Sequence, residues 1–179
     1  MRRRNKILLY LSMAACFWYS CGGLRVTGNG GKITEYAESY FKGEGKMLFY
    51  IKPIDFKTVD GDKLTADYTY IKGDTVKKDV VINLSIYGEP PFSVADSVTV
   101  VYSNGITFTD NSIKHLFNEN FKRHKFTRQS IDMPGDRLAD YFQSNEVSFI
   151  VYTKGKAVEY KGAKQWRKSH TKIYQIIFW

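Results

Sequence analysis

Histidines, cysteines and a short run of hydroxyl and acidic side chains are the residues of this 179-residue chain with chemistry suited to catalysis or metal binding. The three histidines are spread along the sequence, at His115, His124 and His170. No HExxH pair, no Cys/His cluster with ligand spacing and no G-x-S-x-G motif occurs. Ser130, Asp132 and Asp136 are close in sequence, but helix capping explains the two acids better than catalysis. The sequence therefore predicts no catalytic residue, no metal site and no cofactor.

Two basic stretches with interleaved aromatic residues are the remaining candidates for a site. The first is FKRHKFTR (121–128), with the cations Lys122, Arg123, Lys125 and Arg128. The second is EYKGAKQWRKSHTK (159–172), in which Trp166 stands among Lys164, Arg167 and Lys168. Cations beside aromatic rings can contact single-stranded nucleic acid, anionic lipid headgroups, peptidoglycan carboxylates or an acidic protein, although solvated loops and strand faces have the same composition. We treat these seven cations as candidate contacts to an anionic partner.

The N-terminal residues indicate where such a partner would be met. The formal net charge of the whole chain is +9, but residues 1–20 hold four of the cations and no acid, and without them the net charge is +5. The basic start MRRRNK is followed by thirteen uncharged residues, 7–19. Such a run is too short to cross a bilayer, which needs about 20 apolar residues, and is typical of a signal peptide. An exported chain has little opportunity to meet nucleic acid, so we expect no nucleic-acid partner.

Two cysteines, Cys16 and Cys21, are alternative ends for this leader. Cys16 follows two alanines but leaves an apolar run of only nine residues, whereas Cys21 keeps the full run, follows Ser20 and precedes two glycines. The stretch FWYSCGG (17–23) resembles the lipobox of bacterial lipoproteins, in the looser Ser-Cys form of the Bacteroidota. The resemblance covers residues 1–23. It implies that Cys21 becomes the first residue of the mature chain and carries the lipid that anchors it to a membrane.

The residues after Cys21 predict a tether and a location. Residues 22–32 contain five glycines, which is typical of a flexible linker. Gly22 is not the Asp that retains lipoproteins in the inner membrane of enteric bacteria, and no run of acids follows. We therefore expect anchoring in the outer membrane on its periplasmic face, with a signal peptide at 1–20, a tether at 21–32 and one domain at 33–179.

Alternating apolar residues predict a mainly-β domain. The predicted strands are 47–51, 63–71, 79–88, 96–102, 106–109, 124–132, 147–152 and 157–160. Three turns join them into hairpins: VDGD (59–62), Asn104-Gly105 as a type I′ turn, and TKGK (153–156). The tail 171–179 alternates Tyr174, Ile176 and Phe178, which predicts a final strand.

Apolar residues at helical spacing predict a helix over 33–41 and another over 111–121. Pro134 predicts the start of a third helix over 135–142, because proline is tolerated in a first helical turn. Consecutive hairpins without long crossover helices indicate antiparallel pairing. The expected fold is therefore a β-sandwich or small barrel with two or three short helices.

These patterns favour a lipid-anchored, non-enzymatic binding or scaffold module of the cell envelope. Its expected partner is an envelope protein or an anionic envelope polymer. Two alternatives remain: a lipocalin-like carrier whose aromatic residues line a cavity, and a small outer-membrane barrel ending in IYQIIFW. A filled interior favours the binding module, and an interior cavity above about 300 Å³ favours the carrier.

Overall fold

The computed structural model describes residues 32–73, 79–89, 92–121 and 124–179. Within these residues eleven strands form one sheet in which every pairing is antiparallel. The strands are β1 (Lys32–Ile33), β2 (Ala37–Gly43), β3 (Lys46–Lys57), β4 (Lys63–Lys72), β5 (Val80–Tyr87), β6 (Ser97–Tyr102), β7 (Thr107–Asp110), β8 (Lys114–Phe121), β9 (His124–Met133), β10 (Val147–Thr153) and β11 (Lys156–Gly162). A 3-10 turn (Gly135–Arg137) leads into α1 (Leu138–Gln143), and α2 (Lys164–Phe178) follows β11.

The sheet curls so that its two ends approach each other. Its order is β7-β6-β10-β11-β3-β4-β5-β9-β8, with β2 paired to β3 and β1 paired to β2. The Asp110 carboxylate at the end of β7 accepts a hydrogen bond of 2.9 Å from the backbone N–H of Asp132 in β9. The order places β7 and β9 near opposite ends of the sheet, so this bond requires a half-barrel shape. The prediction of a mainly-β antiparallel fold of the sandwich or small-barrel type is confirmed.

Aromatic side chains fill the inside of this half-barrel. Tyr141 of α1 packs against Tyr68 of β4, Tyr102 of β6, Phe149 of β10 and Trp166 of α2, with ring centroids 5.0 to 6.5 Å apart. The Tyr68 and Tyr141 hydroxyls are hydrogen-bonded to each other. Burial raises the pKa of the Tyr102 phenol to about 12 and also raises the pKa values of the other two phenols. The interior is therefore a packed and uncharged core.

The three predicted hairpins are confirmed, but the type I′ turn lies in the β10–β11 hairpin and not at Asn104-Gly105. In the β6–β7 hairpin only Gly105 has a positive φ, of 78°, and the backbone N–H of Tyr102 bonds Ile106 across a three-residue loop. That geometry is a type I turn followed by a bulge. The β10–β11 turn instead has positive φ at both Lys154 and Gly155, as a type I′ turn requires.

The predicted helix at 33–41 is wrong, because Ile33 ends β1, residues 34–36 form a bend and Ala37 begins β2. Ala37 and Ser39 are buried and Tyr40 is exposed, which is the alternation of a strand and not the spacing of a helix. Glu44 and Gly45 both have positive φ and turn β2 directly into β3. Cross-strand pairing with β3 outweighed the local helical pattern.

The predicted helix at 111–121 is also wrong, and here a bulge explains the error. His115 pairs with Gln129 and Phe117 with Arg128, so Leu116 is an extra residue in β8. An inserted residue shifts the alternation of side chains by one, and the sequence then imitates helical spacing.

The predicted final strand at 171–179 is wrong as well, because these residues belong to α2. The buried residues of this helix follow its 3.6-residue period from a starting point upstream of the tail. They are Trp166, Ser169, His170, Ile173 and Ile177. Reading the tail alone left out Trp166 and His170, and with them the periodicity. The third predicted helix, after Pro134, is confirmed as the 3-10 turn and α1.

Candidate anionic-partner surface

The two described cations of the first basic stretch, Lys125 and Arg128, lie on β9 and are paired with acids. Arg128 donates from Nη2 to Asp67 Oδ2 at 2.6 Å and from Nη1 to Ser85 Oγ at 2.8 Å. The Arg128 and Asp67 side chains are only 23% and 19% exposed. Asn83 donates a further bond of 2.8 Å to the other Asp67 oxygen. The Arg128 charge is therefore neutralised by Asp67 within the protein and is not available to a partner.

Two lysines near Arg128 have partners too. Lys125 Nζ lies 2.6 Å from Glu89 Oε2, and Lys114 of β8 pairs with Asp132 of β9. Lys122 and Arg123 lie outside the described residues. The described cations of this stretch thus form no free positive patch.

The cations of the second basic stretch lie on one face of α2. Lys164, Arg167 and Lys168 are spaced i, i+3 and i+4, so they project from the same side of the helix. All three are exposed, and none forms an ion pair with the residues that the structure describes. We call these three residues the basic face.

Contacts on the opposite side of α2 hold the basic face outward. The Trp166 indole N–H donates 3.2 Å to the Ser144 carbonyl, and His170 Nδ1 lies 3.0 Å from the Phe142 carbonyl. The Gln165 side chain accepts from the Asp55 N–H at 3.1 Å and so ties the start of the helix to β3. Rotating the helix would break these bonds, so the direction of the three cations is fixed.

The end of α2 that carries the basic face adds positive potential of its own. The backbone N–H groups of a first helical turn carry a partial positive charge. The first turn of α2 contains no acid, and its N-cap, Ala163, has no side chain that could accept a bond. No carboxylate of the first turn itself and no capping side chain reduces the field there.

A polar cleft of about 400 Å³ borders the basic face. Arg167 lines it together with Glu146, Glu159 and Lys161, and Ser103 and Ser148 are also at its wall. Lys161 is paired with Glu159 at 3.4 Å. The cleft has both signs of charge, so it offers hydrogen bonds for orienting a partner while the basic face provides the net attraction.

The structure keeps the two predicted basic stretches apart. In the sheet order β9 is four strand spacings from β11, which precedes α2, and this corresponds to about 19 Å along the sheet. The three cations of α2 are brought together, while Lys125 and Arg128 lie elsewhere.

The histidines contribute no metal centre in the described part of the chain. His170 is buried and stacked on Trp166, with centroids 5.6 Å apart, so its role is structural. His115 is exposed and lies 3.0 Å from the Asn118 side-chain oxygen. Among the described residues no group of three or more His, Cys, Asp or Glu is placed to hold a metal ion.

Sequence reasoning missed a second cleft, of about 490 Å³, at the other end of α2. Tyr36, Phe49, Ile176 and Trp179 form its apolar walls, and Lys172 also lines it. The prediction of a terminal strand hid this cleft. The helical period that starts at Trp166 would have predicted the helix whose C-terminal end forms part of this cleft.

Comparisons with protein-family models, with curated proteins and with solved structures found no match to this chain. The helices of the described residues are all too short or too polar to span a membrane.

Proposed function

We propose that this protein is a lipid-anchored, non-enzymatic binding module of the cell envelope, and that the basic face of α2 is its contact to an anionic envelope polymer or an acidic envelope protein. The observation that carries the proposal is the unpaired state of Lys164, Arg167 and Lys168 on one exposed face. Exposed cations near an anionic surface contribute about 1 kcal/mol each. Three of them, held in a fixed direction, suit a repeating or extended anionic partner.

The lipid anchor in this proposal is Cys21, in the outer membrane on its periplasmic face. The support is the resemblance of residues 17–23 to a lipobox. Multiple acyl chains give stable anchoring, because each buried methylene contributes about 0.8 kcal/mol.

The packed interior supports a binding module over a lipocalin-like carrier. Tyr68, Tyr141, Phe142, Phe149 and Trp166 occupy the space inside the half-barrel where a carrier would hold its ligand. Both clefts described above lie at the surface beside α2.

The basic face is tested by charge reversal. A triple variant, Lys164→Glu, Arg167→Glu and Lys168→Glu, is compared with the wild-type lipoprotein. Two measurements are made: co-sedimentation with the insoluble polymer of its own envelope, and affinity capture from solubilised envelope with mass spectrometry. We expect the triple variant to lose retention of its partner by at least about tenfold, since three attractive contacts become repulsive.

A matched control keeps the same change in net charge. Lys42 lies on β2, and Lys154 and Lys156 lie at the β10–β11 turn; all three are exposed and form no ion pair with the described residues. Reversing these three to Glu should leave retention unchanged. Equal losses in both triple variants would refute the basic face as the contact.

The anchor is tested by metabolic labelling with palmitate. Cys21→Ser should abolish incorporation of the label, and Cys16→Ser should leave it intact. Labelling that persists in Cys21→Ser and disappears in Cys16→Ser would move the anchor to the other cysteine.

A further inference from the structure

The C-terminal end of α2 and the start of the sheet form an exposed apolar surface. Trp179 is 94% exposed, and Ile176, Tyr36 and Phe49 line the cleft beside it. Phe41 is 57% exposed and lies on the same side of β2 as Ser39, which also lines the cleft. We call Tyr36, Phe41, Phe49, Ile176 and Trp179 the aromatic end. Trp179 and Phe41 are the exposed rings of this set, whereas Phe49 is buried and Tyr36 and Ile176 are half-buried. Two large aromatic side chains left in water beside an apolar cleft indicate a surface that is covered in use.

Lysines accompany these rings. Lys172 Nζ lies 5.4 Å from the centroid of the Tyr36 ring, and Lys72 Nζ donates a bond of 3.1 Å to the Ile177 carbonyl. Glu35 is the acid at the cleft. Trp and Tyr with neighbouring Lys are the residues that settle at the boundary between headgroups and acyl chains, where a ring contacts the apolar side and the ammonium stays in water.

We propose that the aromatic end docks onto the interfacial region of the same bilayer that holds the lipid anchor. This inference rests on the proposed acylation of Cys21. The eleven residues of the predicted tether after Cys21, 22–32, include five glycines. A glycine-rich linker of eleven residues has a root-mean-square length of about 18 Å. Thr34, two residues beyond the tether, lines the cleft of the aromatic end. The anchor therefore keeps the aromatic end at the bilayer, and contact with the membrane covers it.

This orientation also restricts the partner of the basic face. Lys164 and Trp179 stand at opposite ends of α2, and fifteen residues of helix span about 22 Å. With Trp179 in the interface, Lys164 lies about 22 Å from it along the helix axis. If α2 stands along the bilayer normal, the basic face lies beyond the headgroups of the anchoring bilayer, and its partner there is a polymer or a protein.

The test is quenching of tryptophan fluorescence by brominated lipid. The acylated mature chain is reconstituted into phosphatidylcholine vesicles whose acyl chains carry bromine close to the glycerol backbone. Trp166 is fully buried, and Trp18 is removed with the leader, so Trp179 is the exposed indole. We expect Trp179 emission to fall at least about twofold relative to vesicles without bromine, and Trp179→Phe to abolish the quenching. Bromine at the methyl end of the chains should quench less, since an interfacial indole lies near the headgroups.

A relocated tryptophan provides the control. Val59 lies in the β3–β4 turn and is 96% exposed. Eight residues of extended strand, or about 26 Å, separate Phe49 from the end of β3 at Lys57, and Val59 follows in the turn. Combining Trp179→Phe with Val59→Trp should give an indole that bromine does not quench.

The possible outcomes separate the two proposals. Acylated protein that floats with the vesicles but has a Trp179 no more quenched than the Val59→Trp control would overturn the docking and leave the anchor intact. A mature chain that is recovered from its own envelope without acyl groups would refute the anchor, and the docking that rests on it. If bromine does not quench Trp179 but solubilised envelope protein changes its emission, the partner of the aromatic end is a protein and not the bilayer.

Discussion

The cations of β9 and those of α2 stand in sequence stretches of similar composition, yet their surroundings differ. Arg128 meets Asp67, which is 61 residues away in the chain and reaches it from β4 across β5. Lys125 meets Glu89, 36 residues away. The basic face of α2 projects from a helix whose other side is packed on the core, and none of its three cations has an acid partner among the described residues.

The difference teaches that the number of cations in a stretch does not measure the charge available to a partner. A sheet places residues from distant parts of the sequence side by side, and their charges then neutralise one another. An exposed helix face has no such neighbours. Free charge is therefore a property of the topology as much as of the sequence.

The largest expected effect separates the two groups by stability. Arg128→Ala leaves the partly buried Asp67 carboxylate without its cation and Ser85 without its donor. We expect the free energy of unfolding to fall by about 2 kcal/mol, the usual cost of losing hydrogen bonds to a charged group. Arg167→Ala removes an exposed, unpaired side chain and should change the value by less than about 0.5 kcal/mol. Urea denaturation followed by circular dichroism measures both.

High salt distinguishes the partly buried cation from the exposed ones in a second way. The loss in Arg128→Ala should persist in about 0.5 M NaCl, because a partly buried pair is little screened. Binding of the wild-type protein through the basic face should weaken in the same salt. Equal stability losses in Arg128→Ala and Arg167→Ala would remove the distinction between the two groups.

Much of the sheet could be predicted from the sequence, because alternation and turn residues are local signals. The hairpins around Asp60-Gly61, Asn104-Gly105 and Lys154-Gly155 are examples. Two of the three wrongly assigned segments have non-local causes. The bulge at Leu116 depends on the register with β9, and the pairing of β2 depends on β3.

Only part of the candidate site could be predicted from the sequence. The sequence identified Lys164, Arg167 and Lys168 as candidates, since clustering of cations is visible in the chain. It also proposed Lys125 and Arg128 with equal weight, because the partners Glu89 and Asp67 are brought to them only by the folded sheet. The Cys21 anchor lies outside the described residues and stays a prediction.

The next prediction concerns the support under the basic face. A Cβ atom added at Gly162 would lie 3.0 Å from Trp166 Cγ, and Trp166 is packed on all sides by the core. Gly162→Ala should therefore cost about 1–2 kcal/mol of stability through overpacking. Gly88→Ala is the matched control, because a Cβ there meets nothing within 4 Å, and it should cost less than about 0.5 kcal/mol. Thermal and urea unfolding of the two variants give the comparison.

A loss of stability in Gly162→Ala would show that the packing of the core supports the basic face. If α2 shifts to relieve the contact at Gly162, binding to the anionic partner should also weaken while the pair between Arg128 and Asp67 stays intact. Unchanged stability in Gly162→Ala would mean that the start of α2 can shift at little energetic cost. The direction of Lys164 and Arg167 would then not be fixed by the core.

The smallest expected effect lies within the β9 group itself. The Lys125 and Glu89 side chains are 34% and 75% exposed, in contrast to the more buried Arg128 and Asp67. Water and salt screen such a pair, so Lys125→Ala should cost no more than about 0.5 kcal/mol, and a double-mutant cycle with Glu89→Ala should give a coupling of similar size. Lys168→Ala, which removes no pair, should give no change beyond error. A coupling above about 1 kcal/mol would mean that the exposed pair stabilises the sheet as the Arg128 pair does. Burial would then not be the property that separates the structural cations of this protein from those available to a partner.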